Sequence, residues 1–349
     1  MKHCHTRYMV EALTVAAFAL VLWSPAVADV YSMGAGLTSL EFVIVDDPGN
    51  APDTEVMGDG TTGYGSVGDT FWIGKYEVTA GQYTEFLNKV ARADPHGLYN
   101  TQMWNATYGC KIERSGVAGN YTYSVSADRA NRPVNYVSFW DACRFANWLH
   151  NGKPAGAQGL TTTEYGAYLL NGYTGSDGSW ITRKAGALVW LPSEDQWYKA
   201  AYYKSGGIAA GYWDYQTQSD TIPTAEAPPG ADMVNGSANY YDGAYVDAIY
   251  GTTEVGAYTA KPSDSAYDTF DQGGNVWEWQ ETLRYGQQRV LRGGAYSPGQ
   301  DYPGARHRTS DMPDVETFDD GFRVATVPEP ATLALLALGW LGVLLRRRR

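Results

Sequence analysis

The sequence predicts an α+β fold that is low in regular secondary structure, and three observations predict it. Helix-capping signals occur at three places, all before residue 200. Residues 231–323 instead carry short apolar runs broken by Gly turns and dense in aromatics, and helices early with irregular strands late mark the α+β class. Charged residues are only 18% of the 349, while Gly (40) and Tyr (27) are abundant, which suits a loop-rich globular chain and neither a helical bundle nor a disordered one. No internal repeat is visible, and the length allows one large domain or two ordinary ones, with ample apolar content for a core.

Taken in order, Lys2 and Arg7 flank the start of an apolar run over residues 12–23, and Ala26-Val27-Ala28 offers a small-x-small cleavage site. This reads as a signal peptide over residues 1–28, with a retained membrane anchor as the alternative that Glu11 leaves open. Residues 40–45 and 71–73 are apolar runs bounded by turn residues and read as strands. The stretch between them, residues 46–68, is acidic and Gly/Thr-rich and reads as a solvated loop. Asp46-Asp47 and Asp319-Asp320 read as solvated turns.

Thr79 with Gln82, Ser138 with Asp141, and Ser193 with Gln196 form capping boxes, the second less ideal because Asp stands for Glu or Gln. Each opens a helix with apolar residues at helical spacing: Tyr83, Phe86, Leu87 and Val90; then Ala142, Phe145, Ala146 and Leu149; then Trp197, Ala200 and Ala201. All three faces are predicted to be core. Residues 94–131 and 152–186 are too long for structureless loops and are expected to hold small hairpins and functional surface.

The most informative stretch is Asp271-Gln272-Gly273-Gly274-Asn275-Val276-Trp277-Glu278-Trp279. Two carboxylates stand seven residues apart around a Gly pair that permits a tight backbone path. Side-chain and carbonyl oxygens turned inward together suit Ca²⁺; the alternative is a turn into a strand, with Glu278 in a buried hydrogen bond.

This stretch, with Arg289-Val290-Leu291-Arg292-Gly293-Gly294 and Gly321-Phe322-Arg323 after it, resembles the formylglycine-generating enzyme family, also called sulfatase-modifying factors. Lys75-Tyr76-Glu77-Val78-Thr79, Arg132-Pro133-Val134 and Leu191-Pro192-Ser193-Glu194 agree in the family's order. The resemblance covers roughly residues 38–326 and implies a single C-type-lectin-like domain over residues 29–326. It also implies two calcium sites. One would use Asp271 and Glu278 by side chain, with Gly274 and Val276 by carbonyl. The other would use Asn239 and Asp247 by side chain, with Tyr240 and Ile249 by carbonyl. An empty site held by hydrogen bonds is the alternative for each.

In that family, formylglycine formation depends on a copper-binding cysteine pair after the Arg-Gly-Gly motif, soft thiolates suiting Cu(I). Here residues 295–308 contain no cysteine, so no copper is expected and no catalytic residue is assigned. The resemblance also embraces iron-dependent sulfur-transfer enzymes with a histidine cluster in an extra domain. Only His96, His150 and His307 follow the signal, and the chain is expected to leave no room for such a domain. The segment after Arg-Gly-Gly is then expected to be a ligand-binding surface, with Tyr296, Tyr302, Arg306, His307 and Arg308 combining aromatic platforms and forked donors. Arg292 and Arg323 are expected to be structural. An enzyme that modifies a peptide or small molecule is the alternative.

The C-terminal end, residues 327–349, runs Val327-Pro328-Glu329-Pro330, an apolar stretch and four arginines. Fifteen helical residues reach about 22 Å, short of the roughly 30 Å hydrocarbon core. The pattern resembles the PEP-CTERM sorting signal, which implies an exosortase-type partner, a short transmembrane helix removed on processing, and delivery to the cell surface or matrix; a plain tail anchor is the alternative. Removing Lys2, Arg7 and the terminal arginines leaves 20 basic residues, and removing Glu11 leaves 37 acidic ones, so the mature chain carries about −17. Such a charge argues against nucleic acid as a partner; exopolysaccharide or a surface peptide is the ligand expected for the aromatic and Arg surface. Cys110 and Cys143 remain after export, either as a disulfide or as two buried thiols.

Overall fold

The computed structural model describes residues 30–33, 39–298 and 303–327. The signal peptide, Tyr302 and the C-terminal sorting signal from Pro328 onward lie outside them. The α+β class holds: among the described residues four helices lie before residue 203, and the chain beyond them is short strands and turns.

Three helices begin where the capping signals place them. Thr79, Ser138 and Ser193 each accept from the backbone N–H three residues on, and the Gln82, Asp141 and Gln196 side chains each reach back to the cap backbone. They open α1 (Ala80–Val90), α3 (Phe139–His150) and α4 (Glu194–Tyr202); a single turn, α2 (Gln102–Asn105), lies between the first two. The apolar faces are buried as expected. Where α1 meets α3, Tyr83, Phe86, Phe145 and Trp148 contact one another and Phe322 at ring-centroid distances of 5.3–6.5 Å. Burying each such ring stabilises the fold by roughly 1.5–3 kcal/mol.

Against these helices lies a five-stranded sheet of β1 (Val30–Tyr31), β2 (Leu40–Val45), β3 (Phe71–Gly74), β13 (Ala325–Thr326) and β6 (Val189–Trp190), in that order. The last strand of the domain is thus slotted between two earlier ones, Ala325 facing Ile73 on one side and Trp190 on the other. A second sheet runs β11 (Thr309–Asp311), β10 (Gln288–Arg292), β9 (Trp277–Arg284) and β12 (Asp320–Gly321). The first long loop does hold a hairpin, β4 (Ile112–Ser115) with β5 (Thr122–Val125); the second holds only an isolated bridge between Tyr165 and Leu169. A short parallel pair, β7 (Thr224–Ala225) and β8 (Ser237–Ala238), completes the strands.

Two expectations need correction, and one open alternative is decided. Residues 46–68 are not a freely solvated loop: Met57 is buried against Trp197, Tyr198 and Tyr202, and Asp53 accepts from the Tyr198 hydroxyl at 2.7 Å. Asp319 and Asp320 are buried, because the backbone there pairs with β9. The cysteines are both free and buried. Burial pushes the Cys110 thiol up to about 11 and raises Cys143 as well. Chain 29–327 is therefore expected to yield no fast-reacting thiol when native and two on unfolding, in a thiol-reagent titration.

The N-terminus of α3 carries a pH-sensitive contact. Asp141, whose carboxylate caps that helix, shares a side-chain hydrogen bond with Glu316, and burial together with the Asp141 charge pushes Glu316 up to about 8. A carboxyl raised in the folded state binds its proton more tightly there than in the unfolded chain. Its contribution is complete below pH 4.5 and is lost as pH rises toward 8. Denaturant melts across pH 5–8 are expected to show stability falling by up to about 1.4 kcal/mol per pH unit from this group, and Glu316→Gln is expected to flatten that slope.

Candidate functional site

The Gly pair does what its spacing suggests. A Cβ on Gly273 would lie 2.2 Å from the Gln216 side chain, and one on Gly274, where φ is +96°, would lie 2.2 Å from the Asn239 carbonyl oxygen. The chain can therefore run flat against residues 216 and 239 before entering β9. That path delivers Glu278 to the interior, where Arg323 donates to it through Nε at 2.6 Å and Nη2 at 2.7 Å, and Trp197 Nε1 donates at 2.8 Å. Both charged side chains are fully buried.

Two more acids lie beside this pair. Asp271 accepts the Gly256 N–H at 2.6 Å, and burial with the nearby Glu278 charge pushes it up to about 6. Glu77 is raised further, by burial and then by Asp271. Its Oε1 accepts from Asn275 Nδ2 at 3.1 Å, while its Oε2 has no partner among the described residues. Asn275 is the hub: its Oδ1 accepts from Asn239 Nδ2 at 3.0 Å and from the Thr253 N–H at 2.9 Å.

The two calcium sets fare differently. Three donors already converge on Glu278, and a cation beside it would face the Arg323 guanidinium; the set of Asp271, Gly274, Val276 and Glu278 fits an ion poorly. In the other set, Asn239 Oδ1 is a buried acceptor without a partner among the described residues, as an inner-sphere ligand would be. Asp247 receives the Ile249 and Tyr250 N–H groups and lies 3.3 Å from Arg132. Tyr240 is buried directly after Asn239, and the Ile249 carbonyl lies 3.5 Å from Arg129 Nη2. Among the described residues no three His, Cys, Asp or Glu side chains converge as metal ligands, so an ion here would rely on amide and carbonyl oxygens.

The segment after Arg292-Gly-Gly divides into two environments. Tyr296 is 1% exposed, enclosed by Tyr108 at 5.7 Å, Phe318 at 6.2 Å and Tyr245 at 6.3 Å. Next to it Ser297 Oγ donates to Asp319 at 2.7 Å. Burial and the Asp319 charge raise Asp320 well above the usual carboxylate range. Arg308 belongs elsewhere. It pairs with Glu194 at 2.6 Å and Asp59 at 3.0 Å, while Arg292 takes the other side of Glu194 at 2.7 Å. Tyr64 faces both guanidinium groups at 5.0 Å. Although burial opposes it, hydrogen bonds from Thr61 and Arg308 hold the Asp59 carboxyl well below its usual range. Arg306 is exposed and pairs with Glu55 at 3.0 Å, and the His307 carbonyl accepts from Arg292 at 3.1 Å. The four described residues of the expected binding surface thus do not form one patch. Arg292 and Arg323 are structural, as expected. Tyr108, Tyr245 and Phe318 escaped sequence reasoning because no local pattern links them to Tyr296.

Arg323→Ala leaves Glu278 buried without its partner and is expected to cost about 3–5 kcal/mol in urea unfolding. Arg323→Lys, which keeps the charge but loses the fork, is expected to recover only part of that.

Residues 51–327 match the family described as sulfatase-modifying factor enzyme 1-like domain, and residues 326–349 match the PEP-CTERM protein-sorting motif. No curated protein matches the sequence. Among solved structures, Treponema denticola variable protein 1 is 19% identical, with a TM-score of 0.54 over 87% of this chain and 100% of that one. CarF is 20% identical, with a TM-score of 0.49 over 82% of this chain and 98% of that one. PvdO from Pseudomonas aeruginosa is 17% identical, with a TM-score of 0.49 over 87% and 99%. The C-terminal motif marks the chain for export and for exosortase-type sorting machinery. With the family match spanning most of its length and the fold in agreement, the chain belongs to the sulfatase-modifying factor enzyme 1-like family.

Proposed function

We propose that this exported domain is a ligand-binding protein of the cell surface or matrix, stabilised by calcium, and that it does not make formylglycine. One observation carries the reading. The segment after Arg292-Gly-Gly has no sulfur donor, and its position beside Ser297 is built instead as an aromatic basin. Tyr108, Tyr245 and Phe318 keep partly exposed rings around the buried Tyr296. Aromatic faces of this kind bury much area at low entropic cost when they take up a sugar ring or an apolar peptide side chain, so exopolysaccharide or a surface peptide is the partner class.

Calcium enters this proposal through Asn239, whose side-chain oxygen lacks a partner among the described residues, with Tyr240, Asp247 and Ile249 completing the set. Bound there, the ion would tie Gly-rich loops together and offset their ordering entropy. A second reading, an enzyme acting on a peptide or small molecule, is favoured by one feature: the Ser297 hydroxyl hydrogen-bonded to the buried Asp319.

Calcium is expected to raise the melting temperature, the gain reaching about 2.7 kcal/mol at a hundredfold excess over Kd. Asn239→Ala is expected to abolish that gain. Copper-treated protein incubated with a Cys-containing sulfatase peptide is expected to leave the cysteine unchanged by mass spectrometry; turnover would overturn the proposal.

A further inference from the structure

A groove of about 610 Å³ opens beside the β2–β3 pair, within the roughly 300–1,000 Å³ typical of ligand sites. None of the residues assigned above to calcium or to the aromatic basin lines it. The β2–β3 pair contributes Phe42, Val43, Ile44 and Trp72 to its lining, with Ile44 directly opposite Trp72. Its walls are the turn at Asp46 and Asp47, the Ser205-Gly206 turn and the loop at Asp268.

The groove's polar groups are mixed. Trp72 is 7% exposed, and its indole N–H has no acceptor among the described residues, although a buried donor left unmet costs about 1–3 kcal/mol. Asp46 is exposed beside it, and Tyr267 fixes the turn by donating to the Asp46 main-chain carbonyl at 3.4 Å. Asp47 is held in place by the Gly206 N–H at 2.9 Å. Lys75 lies 3.8 Å from Glu41 and hydrogen-bonds the Tyr76 side chain, which leaves further N–H groups of its ammonium for a ligand. The site therefore presents donors (Trp72, Lys75) and acceptors (Asp46, Asp47) within one cavity. A group that both accepts and donates, a hydroxyl, satisfies both kinds. Three carboxylates, counting Asp268, line the groove with the Lys75 ammonium, while Lys199 donates to the Asp47 carbonyl at 2.9 Å and Lys261 lies 3.6 Å from Asp268, so the acids are offset and no net positive charge draws an anionic ligand.

We propose that this groove binds a neutral polyhydroxylated ligand, the pyranose units of an uncharged polysaccharide, at a site separate from the aromatic basin. The ring's apolar face lies over Ile44, one hydroxyl oxygen accepts the Trp72 N–H, and hydroxyls donate to Asp46 and Asp47.

The test is titration calorimetry of the full chain with maltohexaose, cellohexaose and an oligogalacturonate. At least one neutral oligosaccharide is expected to bind, and the acidic one to bind more weakly or not at all. Trp72→Phe keeps the ring and removes the N–H; Asp46→Asn alters an exposed side chain without touching the core. Each is expected to weaken binding roughly 3- to 10-fold, the worth of one neutral hydrogen bond. Tyr108→Ala, in the aromatic basin, is run beside them: binding that survives Tyr108→Ala and falls with Asp46→Asn belongs to the groove, which separates failure here from failure of the basin reading. No binding of either neutral sugar, tighter binding of the oligogalacturonate, or loss with Tyr108→Ala but not with Asp46→Asn would overturn the proposal.

Discussion

The fold is organised around one guanidinium. All the N–H groups of Arg323 are used: Nε and Nη2 on Glu278, Nη1 on the Gly74 and Lys75 carbonyls, and Nη2 also on the Phe270 carbonyl. Removing two charges from water costs several kcal/mol per ion, and only complete hydrogen bonding with good geometry offsets it. That requirement fixes three distant segments at once: the end of β3, the approach to Asp271, and β9. The neighbouring residues do related work. Phe322 turns the opposite way into the aromatic contact of the first and third helices, and Gly321 passes so close to the Val134 carbonyl that a Cβ would lie 2.7 Å from it. A Gly-Phe-Arg tripeptide thus joins the apolar core to the polar centre.

Elsewhere, buried amides replace the ladders a loop-rich chain lacks. Asn135 accepts the Cys110 N–H and donates to the Tyr108 and Phe318 carbonyls. Asn147 does the same for Tyr168 and Thr163, while Asn275 accepts the Thr253 N–H and donates to the Glu77 carboxylate. An amide carries both donor and acceptor, so each one serves as a stand-in strand neighbour. The Tyr108 and Phe318 rings of the aromatic basin are held in place by Asn135 in this way, which ties the proposed binding surface to the interior.

What the sequence made legible was local. The capping boxes at Thr79, Ser138 and Ser193 were readable because cap and partner lie three residues apart, and the helical faces followed from their spacing. Assigning the topology took the ordered resemblance, since two-residue strands such as β12 and β13 leave no periodic trace. Residues 46–68 were misread because composition reports only polarity. The groups that hold them, Tyr198, Arg284 and Arg308, are 145 to 249 residues away. Asp319-Asp320 was misread for the same reason: a pair of acids looks solvated until β9 is laid beside it. The metal set with Glu278 looked sound from spacing, yet spacing could not reveal that Arg323 would claim the carboxylate.

One feature of the sheet bears on life at a surface. The sorting motif begins at Thr326, and Thr326 is already part of β13, hydrogen-bonded into the middle of the sheet between β3 and β6. A partner that held the C-terminal end would therefore pull on an inner strand. Tension on it loads the pairs with β3 and β6 together, in shear. A peripheral strand would peel away one bond at a time; this one is paired on both sides, so a pull on the C-terminal end would have to break both sets of pairs together.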